Sequence, residues 1–328
     1  MLASACASRA PVPIKPAPPE LELRSVMPAF WQWWATVEHA SVDQQADGFW
    51  TTFVPAHPTL YSTSVMGKSF GDAPAARRTI HAFFENLPGE LADMRSISDR
   101  MPALLRDGYA RFSATFPDVT WRGPVYIMPS LFNFDGGTRE IEQAAPPAGA
   151  ASPGPAVDAR TQLIFAPDGI ARYHKADRKP DGQCAFFAHE FFHIYHQQFL
   201  ATDGEMSVWQ VLWAEGLATY VGAQLCPHAT PAEVFVSATL ASDVQPMLSK
   251  AATELRGQLD ATDDPIVSRW FSMGTHDDVP SRAGYYVGYL LAQRAARSYT
   301  LPQLARLDPL TIRTLISTGL DELARAPR

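Results

Sequence analysis

Apolar residues recur at helical spacing over most of this chain. The pattern begins near Val26 with an aromatic cluster at residues 30–34, continues over residues 70–87 and 90–114, and returns after Gly182. Large aromatic side chains dominate protein cores, so we expect the cluster at 30–34 to be buried. The chain is therefore predicted to be rich in helices.

Two shorter segments, residues 119–134 and 161–173, change to the pattern that is typical of strands. The Pro-Asp-Gly sequence at residues 167–169 favours a turn and predicts a hairpin within the second segment. Residues 143–157 are rich in Ala, Pro and Gly without periodicity, which predicts a surface loop. We expect an α+β fold with a small antiparallel sheet whose exposed edge lies at residues 129–137.

The N-terminal residues 1–24 predict a linker ahead of one folded domain at residues 25–328. Prolines at residues 11–20 remove amide donors and favour extended backbone. The residues up to Cys6 are similar to the end of a bacterial lipoprotein signal, in which a lipidated cysteine follows small residues. A complete signal also has a basic region and an apolar stretch of about 7–15 residues, and both are absent here unless the true start lies upstream. We expect a periplasmic or lipid-anchored protein, with a cytoplasmic one as the alternative.

The composition excludes several classes of protein. With 46% hydrophobic and 19% charged residues, the chain is typical of a folded globular protein rather than a disordered one. Its 27 Lys and Arg against 34 Asp and Glu give a net charge of −7, the wrong sign for binding nucleic acid. No apolar run approaches the roughly 18–20 residues of a membrane-spanning helix. We therefore expect neither a nucleic-acid partner nor a spanning helix.

His189 and His193 flank Glu190 in an HExxH motif, within a segment of helical pattern at residues 183–199. Residues four apart lie on the same face of a helix, so both imidazoles can approach one metal ion. Glu190 then lies beside the metal, where its carboxylate can take a proton from water, as in zinc peptidases. The motif predicts a zinc site with a built-in general base.

A catalytic zinc site takes three protein ligands, so one more must come from elsewhere in the chain. His196 lies seven residues from the first histidine of the motif, about 10.5 Å along a helix, and is expected to pack beside the site instead. Glu215 is the better candidate because it lies on a second helical segment at residues 207–225, after turn residues at 202–204. The resulting antiparallel hairpin, at about 183–225, brings Glu215 level with the two histidines.

The same hairpin predicts two further contacts. Gly216 is expected to let its two helices approach closely. Cys184 opens the first helical segment and Cys226 closes the second, so their midpoint, residue 205, falls in the expected turn and the two cysteines are neighbours. We predict a disulfide between them, with two buried free thiols as the alternative. A disulfide persists only in an oxidising compartment, which agrees with export.

At this point the chain resembles a known group of enzymes. An HExxH motif with a downstream glutamate is the pattern of the gluzincin clan of zinc metallopeptidases. The run E-G-L-A-T-Y at residues 215–220 and the G-Y-x-x-G-Y segment at 284–289 are similar to one bacterial family of predicted zinc-dependent proteases within it. The resemblance spans about residues 182–293. It implies a zincin-like domain that binds one Zn²⁺ ion through the two histidines and Glu215.

The resemblance also implies roles for neighbouring residues. In related peptidases a tyrosine or histidine hydrogen-bonds the oxyanion; Tyr285 is our first choice for this role and Tyr286 the alternative. Thermolysin-type enzymes carry an aspartate four residues after the glutamate, where it orients a zinc-binding histidine. Thr219 stands at that position here, so the histidine must be supported differently.

We therefore expect a zinc metallopeptidase that hydrolyses peptide or protein substrates, with Glu190 as general base and then as proton donor to the leaving amine. One alternative is a non-catalytic module in which zinc only joins two helices and the cleft binds peptide. Another is a serine hydrolase with Ser69 as nucleophile, because residues 67–71 satisfy a G-x-S-x-G pattern. That motif needs a preceding parallel sheet, for which the chain leaves little room.

Overall fold

The computed structural model describes residues 20–121, 123–141, 161–175, 183–200, 205–274, 276 and 278–325. Several sequence predictions concern residues outside these ranges: Cys6 and nearly all of the proline-rich linker, the loop at 143–157, and the turn at 202–204.

Helices make up most of the described chain. The N-terminal third of the described chain contains six α-helices: α1 (Met27–Val37), α2 (Val42–Gly48), α3 (Val54–Ala56), α4 (Thr63–Met66), α5 (Ala73–Asn86) and α6 (Leu91–Thr115). The later helices are α7 (Pro167–Tyr173), α8 (Cys184–His196), α9 (Val208–Leu225), α10 (Pro231–Phe235), α11 (Leu240–Val244), α12 (Leu248–Gly257), α13 (Asp264–Phe271), α14 (Ala283–Ala295), α15 (Leu301–Leu304) and α16 (Pro309–Arg325). None of the described helices is long and apolar enough to cross a membrane.

A four-stranded sheet lies beside the helices, with the order β1-β2-β4-β3. Its strands are β1 (Leu23–Ser25), β2 (Val125–Ile127), β3 (Gly136–Glu140) and β4 (Thr161–Phe165). The predicted helix-rich α+β class is confirmed. The prediction of an antiparallel sheet is wrong in part, because β1, β2 and β4 run parallel and only β3 is antiparallel to its neighbour.

Three predicted boundaries differ from the structure. Within residues 119–134 only the three residues of β2 form a strand. Pro167 does not start a hairpin turn but opens α7, where its missing amide hydrogen costs nothing. The folded chain begins before residue 25, because residues 23–25 form β1. This strand pairs with β2, although six of the described helices separate the two strands in the sequence. That pairing could not be predicted from a local pattern.

The aromatic cluster at residues 30–34 packs in the core as predicted. Phe30 is fully buried and Trp34 nearly so. Trp34 stacks on Phe84 of α5, with ring centroids 5.9 Å apart. Elsewhere in the core, α8 lies on the sheet, where Phe187 meets Phe165 of β4 at 4.9 Å. The helix that carries the HExxH motif is therefore anchored on the sheet by aromatic packing.

A buried carboxylate fixes the loop that leads into β3. Asp168, at the start of α7, accepts hydrogen bonds from the backbone amides of Ser130 and Phe132 at 2.9 and 2.7 Å. Leu131 and Phe132 both have positive φ, a conformation that bulky residues rarely adopt. Burial raises the pKa of Asp168 to about 6, even though these hydrogen bonds favour its charged form. The carboxylate of Asp168 thus stabilises the strained turn at Leu131 and Phe132, just before the strand that lines the cleft.

Helices α8 and α9 form the predicted antiparallel hairpin, and a disulfide closes its open end. Cys184 and Cys226 are bonded, with Cα atoms 6.0 Å apart. The predicted bridge is thus present in the structure. It joins the first residue of α8 to the residue that caps α9, so it holds together both helices that carry the candidate metal ligands. Such a bridge agrees with the expected export, while the compartment itself stays a prediction.

Gly216 does not make the contact predicted for it. A Cβ atom on Gly216 would overlap with the backbone of Gly288 in α14, not with α8. The glycine that lets α8 and α9 approach is Gly222, where an added Cβ would lie 2.6 Å from the carbonyl oxygen of Ala185. Gly216 and Gly288 therefore bring α9 and α14 into backbone contact, and this contact positions the tyrosine three residues before Gly288.

Candidate metal centre

Three ligand atoms from α8 and α9 converge on one point. His189 Nε2 and His193 Nε2 lie 2.9 Å apart, and Glu215 Oε2 lies 3.2 and 3.4 Å from them. The histidines are one helical turn apart on α8, as the motif predicts. Glu215 comes from the neighbouring helix of the hairpin at the expected level. The structure thus brings all three predicted ligands together.

The donor set fits a zinc ion. Around tetrahedral zinc, ligand atoms at about 2.0–2.1 Å from the metal lie about 3.3–3.4 Å from one another. The two distances from Glu215 to the histidines match this spacing, and the distance between the histidines is slightly shorter. Glu215 Oε2 is also buried without a well-aligned hydrogen bond from any described residue. Two imidazoles and one carboxylate are the ligand types of open, catalytic zinc sites.

Charge at the site favours a cation. Burial opposes charge on His193, yet Glu215 and Glu190 together raise its pKa to about 9. Burial likewise opposes charge on Glu215, but His193 and His189 hold the pKa of this carboxyl well below its usual range. The two carboxylates therefore stabilise positive charge at the point where the ligand atoms meet.

Thr219 supports His189 where an aspartate would stand in thermolysin-type enzymes. Its hydroxyl donates to the carbonyl oxygen of Glu215 at 2.7 Å and lies 3.4 Å from His189 Nδ1. A hydroxyl that donates to a carbonyl can only accept from Nδ1–H. This arrangement favours the tautomer in which His189 Nε2 carries no hydrogen and is free to bind a metal.

Glu190 lies beside the ligands, as expected of a general base. Ligand-type atoms of His189, Glu190 and His193 all lie within 4.8 Å of one another. Glu190 is 8% exposed, and burial raises the pKa of its carboxyl although both histidines oppose the shift. A Cβ built on Gly137 would lie 3.9 Å from Glu190 Oε2, so this carboxylate faces strand β3 across the cleft.

The two candidate tyrosines are in different places. Tyr285 lines the cleft, and its ring stacks with that of His189 at a centroid distance of 6.2 Å. Burial, followed by the charge of Glu215, raises the pKa of Tyr285 well above its usual value, so its hydroxyl stays a donor. Tyr286 instead points away, donating to Gln245 and packing on Phe235. The structure therefore does not bring Tyr286 to the cleft.

His196 lies next to the site but apart from the three ligand atoms. Its ring packs on Phe192 at 5.1 Å and is 3% exposed. Burial lowers its pKa to about 3, so this imidazole is neutral at physiological pH. The predicted packing role agrees with this placement.

The three candidate ligand residues line a cleft with a volume of about 550 Å³. One wall of the cleft is β3, an edge strand of the sheet. The edge that was predicted at residues 129–137 therefore lies at Gly136–Glu140 instead, just after the turn at residues 130–134 that Asp168 holds. The lining also includes apolar side chains, among them Leu200, Met206 and Met273. An open strand edge beside a metal site is suited to bind extended peptide.

Sequence patterns did not indicate three charged residues of the cleft. Asp135 accepts a hydrogen bond from the buried His174 at 2.9 Å, and Arg139 and Arg282 line the same cleft. Only Asp135 carried a local signal, since a polar residue before two glycines marks a turn at a strand end. The arginines come from elements that approach each other only in the folded protein.

Ser69 lies on a different part of the molecule. It is exposed in a short 3₁₀ turn that directly follows helix α4 rather than a strand, and it does not line the cleft. A nucleophile elbow requires a strand before the serine and a helix after it. The serine hydrolase alternative is therefore wrong.

Comparison with known proteins supports a zinc-dependent protease at a coarse level. Residues 166–312 match the model of a family described as "Predicted Zn-dependent protease (DUF2268)". The matched segment contains the three candidate ligands, Glu190 and Tyr285, whereas β3 lies outside it. No curated protein and no solved structure matches the chain.

Proposed function

We propose that this protein is a zinc metallopeptidase in which His189, His193 and Glu215 bind one zinc ion. The observation that carries the proposal is the convergence of these three ligand atoms beside Glu190 in a cleft that is open to an edge strand. When bound, zinc would supply Lewis-acid activation of water and of the peptide carbonyl.

The chain's own residues supply the remaining chemistry. Glu190 accepts a proton from the attacking water and then delivers it to the nitrogen of the leaving amine, so one carboxylate serves both steps. The Tyr285 hydroxyl donates a hydrogen bond to the oxyanion that forms on the peptide carbonyl. Strand β3 holds the substrate in extended form by backbone hydrogen bonds. All three groups face the same cleft.

The proposal predicts that zinc-loaded protein cuts an unstructured peptide mixture. Mass spectrometry of the products should show new termini, which disappear when a chelator removes the metal and return when zinc is added back. Intact peptides with zinc-loaded, folded protein would instead favour a non-catalytic peptide-binding module. The chelated sample also serves as the control for contaminating serine proteases, since these do not need zinc.

A further inference from the structure

We propose that the cleft selects substrates with a carboxylate next to the scissile bond, and that Arg139 and Arg282 bind this carboxylate. The inference rests on the proposed peptidase function and adds the substrate class. It starts from two guanidinium groups, of Arg139 and Arg282, that both line the cleft of the metal ligands and both interact electrostatically with Asp135.

Arg139 approaches the site from β3. A Cβ atom on Gly137 would lie 3.0 Å from Arg139 Nη1 and 3.9 Å from Glu190 Oε2, so the guanidinium and the general base both lie close to this glycine. The side chain packs over the ring of Phe134 at 4.6 Å and donates to the carbonyl of Thr138. Arg139 forms no ion pair with any residue that the structure describes. It is a half-buried cation beside the reacting bond, with donors to spare.

Arg282 lines the same cleft from the start of α14. Its guanidinium lies over the ring of Tyr285 at 4.1 Å, and one nitrogen donates to the carbonyl oxygen of Phe235 at 3.1 Å. Arg282 has a φ of 60°, a left-handed conformation that is unusual for arginine. Like Arg139, it forms no ion pair within the described parts of the chain.

The charges around the arginines leave room for an anion. Asp135 lies near both guanidinium groups, and its carboxylate already bonds the imidazole of His174 at 2.9 Å. Burial lowers the pKa of Arg139 although Glu190 and Asp135 oppose the shift. Neither carboxylate forms an ion pair with Arg139 among the described residues. Since Glu215 is committed to the histidines, a carboxylate from the substrate is the complementary ligand.

Arginine matches this ligand chemically. A guanidinium presents a planar fork of donors that can bind both oxygens of a carboxylate, and such charge-assisted bonds are strong in a site shielded from water. Apart from these two arginines, the described lining of the cleft holds no other Arg or Lys, so they are the groups there that can pair with a substrate carboxylate. The carboxylate can be the C-terminal group of a peptide or an acidic side chain beside the cut bond.

Three matched peptides separate these two sources. The first two peptides have the same sequence of neutral residues and end as a free acid or as an amide. The third is the amide with glutamine beside the cut bond replaced by glutamate. We expect kcat/KM for one of the carboxylate peptides to exceed that for the neutral amide by about 10- to 100-fold. A preference for the free acid identifies a carboxypeptidase, and a preference for glutamate identifies an endopeptidase with acidic specificity.

Substitutions assign the preference to the arginines. In Arg139→Gln the ratio between the carboxylate and neutral peptides should fall toward one, and Arg139→Lys should restore part of it. Arg282→Gln should act in the same direction. Arg78→Gln, an exposed arginine on α5, is the matched control and should keep the ratio. Zinc content and melting temperature of each variant show whether it has folded.

A binding measurement keeps this inference separate from the proposed function. Calorimetry on zinc-loaded Glu190→Gln compares the free-acid, amide and glutamate peptides without any turnover. Tighter binding of a carboxylate peptide, lost in the double variant with Arg139→Gln, supports the inference even if no peptide is cut. Equal affinities, or equal kcat/KM values for all three peptides, would overturn the inference. If neutral peptides are cut at those equal rates, the proposed peptidase function still stands.

Discussion

Glu215→Ala should lose zinc and peptidase activity together while the protein stays folded. Glu215 is the only described ligand candidate that comes from α9, so its removal leaves two imidazoles on one helix. Structural zinc sites bind with about 10–16 kcal/mol shared among their ligands. With three protein ligands, one ligand accounts for about 3–5 kcal/mol, and we expect zinc affinity to fall by at least about 100-fold.

Zinc content after dialysis, measured by atomic emission, checks this expectation. Glu205→Ala is the matched control, because Glu205 is an exposed glutamate just before α9 and should have no effect on zinc. Circular dichroism confirms that both variants are folded. Full zinc occupancy with normal affinity in Glu215→Ala would exclude this residue as a ligand, and His196 would then need to be reconsidered.

Gly288→Ala should strongly destabilise the protein and disturb the site at the same time. An added Cβ atom would overlap with the carbonyl oxygen of Leu212 and lie 2.8 Å from the Cα atom of Gly216. Both obstacles are backbone, so α14 must move away from α9 rather than adjust a side chain. Overpacking of this kind costs about 1–3 kcal/mol or more, and Tyr285 moves with α14.

We expect the melting temperature of Gly288→Ala to fall by about 5–10 °C, with a loss of activity in the fraction that folds. Gly257→Ala is the control, because a Cβ atom there meets no other atom within 4 Å and alanine is the better helix former. Differential scanning calorimetry of both variants measures the contrast. A Gly288→Ala protein as stable as the parent would mean that α9 and α14 do not touch as described.

The ligand geometry could be predicted from the sequence because it depends on helical periodicity. The spacing of His189 and His193 fixes their common face, and the length of the hairpin fixes the level of Glu215 and the meeting of Cys184 with Cys226. These features need only two consecutive helices and the short connection between them. They are local, and the structure agrees with each of them.

The remaining features depend on contacts between distant segments, and local patterns do not contain this information. Strand β1 pairs with a strand about a hundred residues later in the chain, so the mixed direction of the sheet could not be read from alternation. The role of Gly216 was assigned to the wrong helix because its partner, Gly288, lies 72 residues further on. Arg139 and Arg282 belong to no sequence motif, and only the folded chain brings both of them into the cleft.

The central claim is that Glu190 performs proton transfer at a zinc ion that other residues bind. The most direct test compares the parent protein with Glu190→Gln. For each protein, zinc content and cleavage of the same peptide are measured on a single preparation. The account predicts unchanged zinc content and a fall in kcat/KM of about 100- to 10,000-fold, the usual contribution of a general acid and base. A Glu190→Gln protein that binds zinc normally and remains fully active would contradict it.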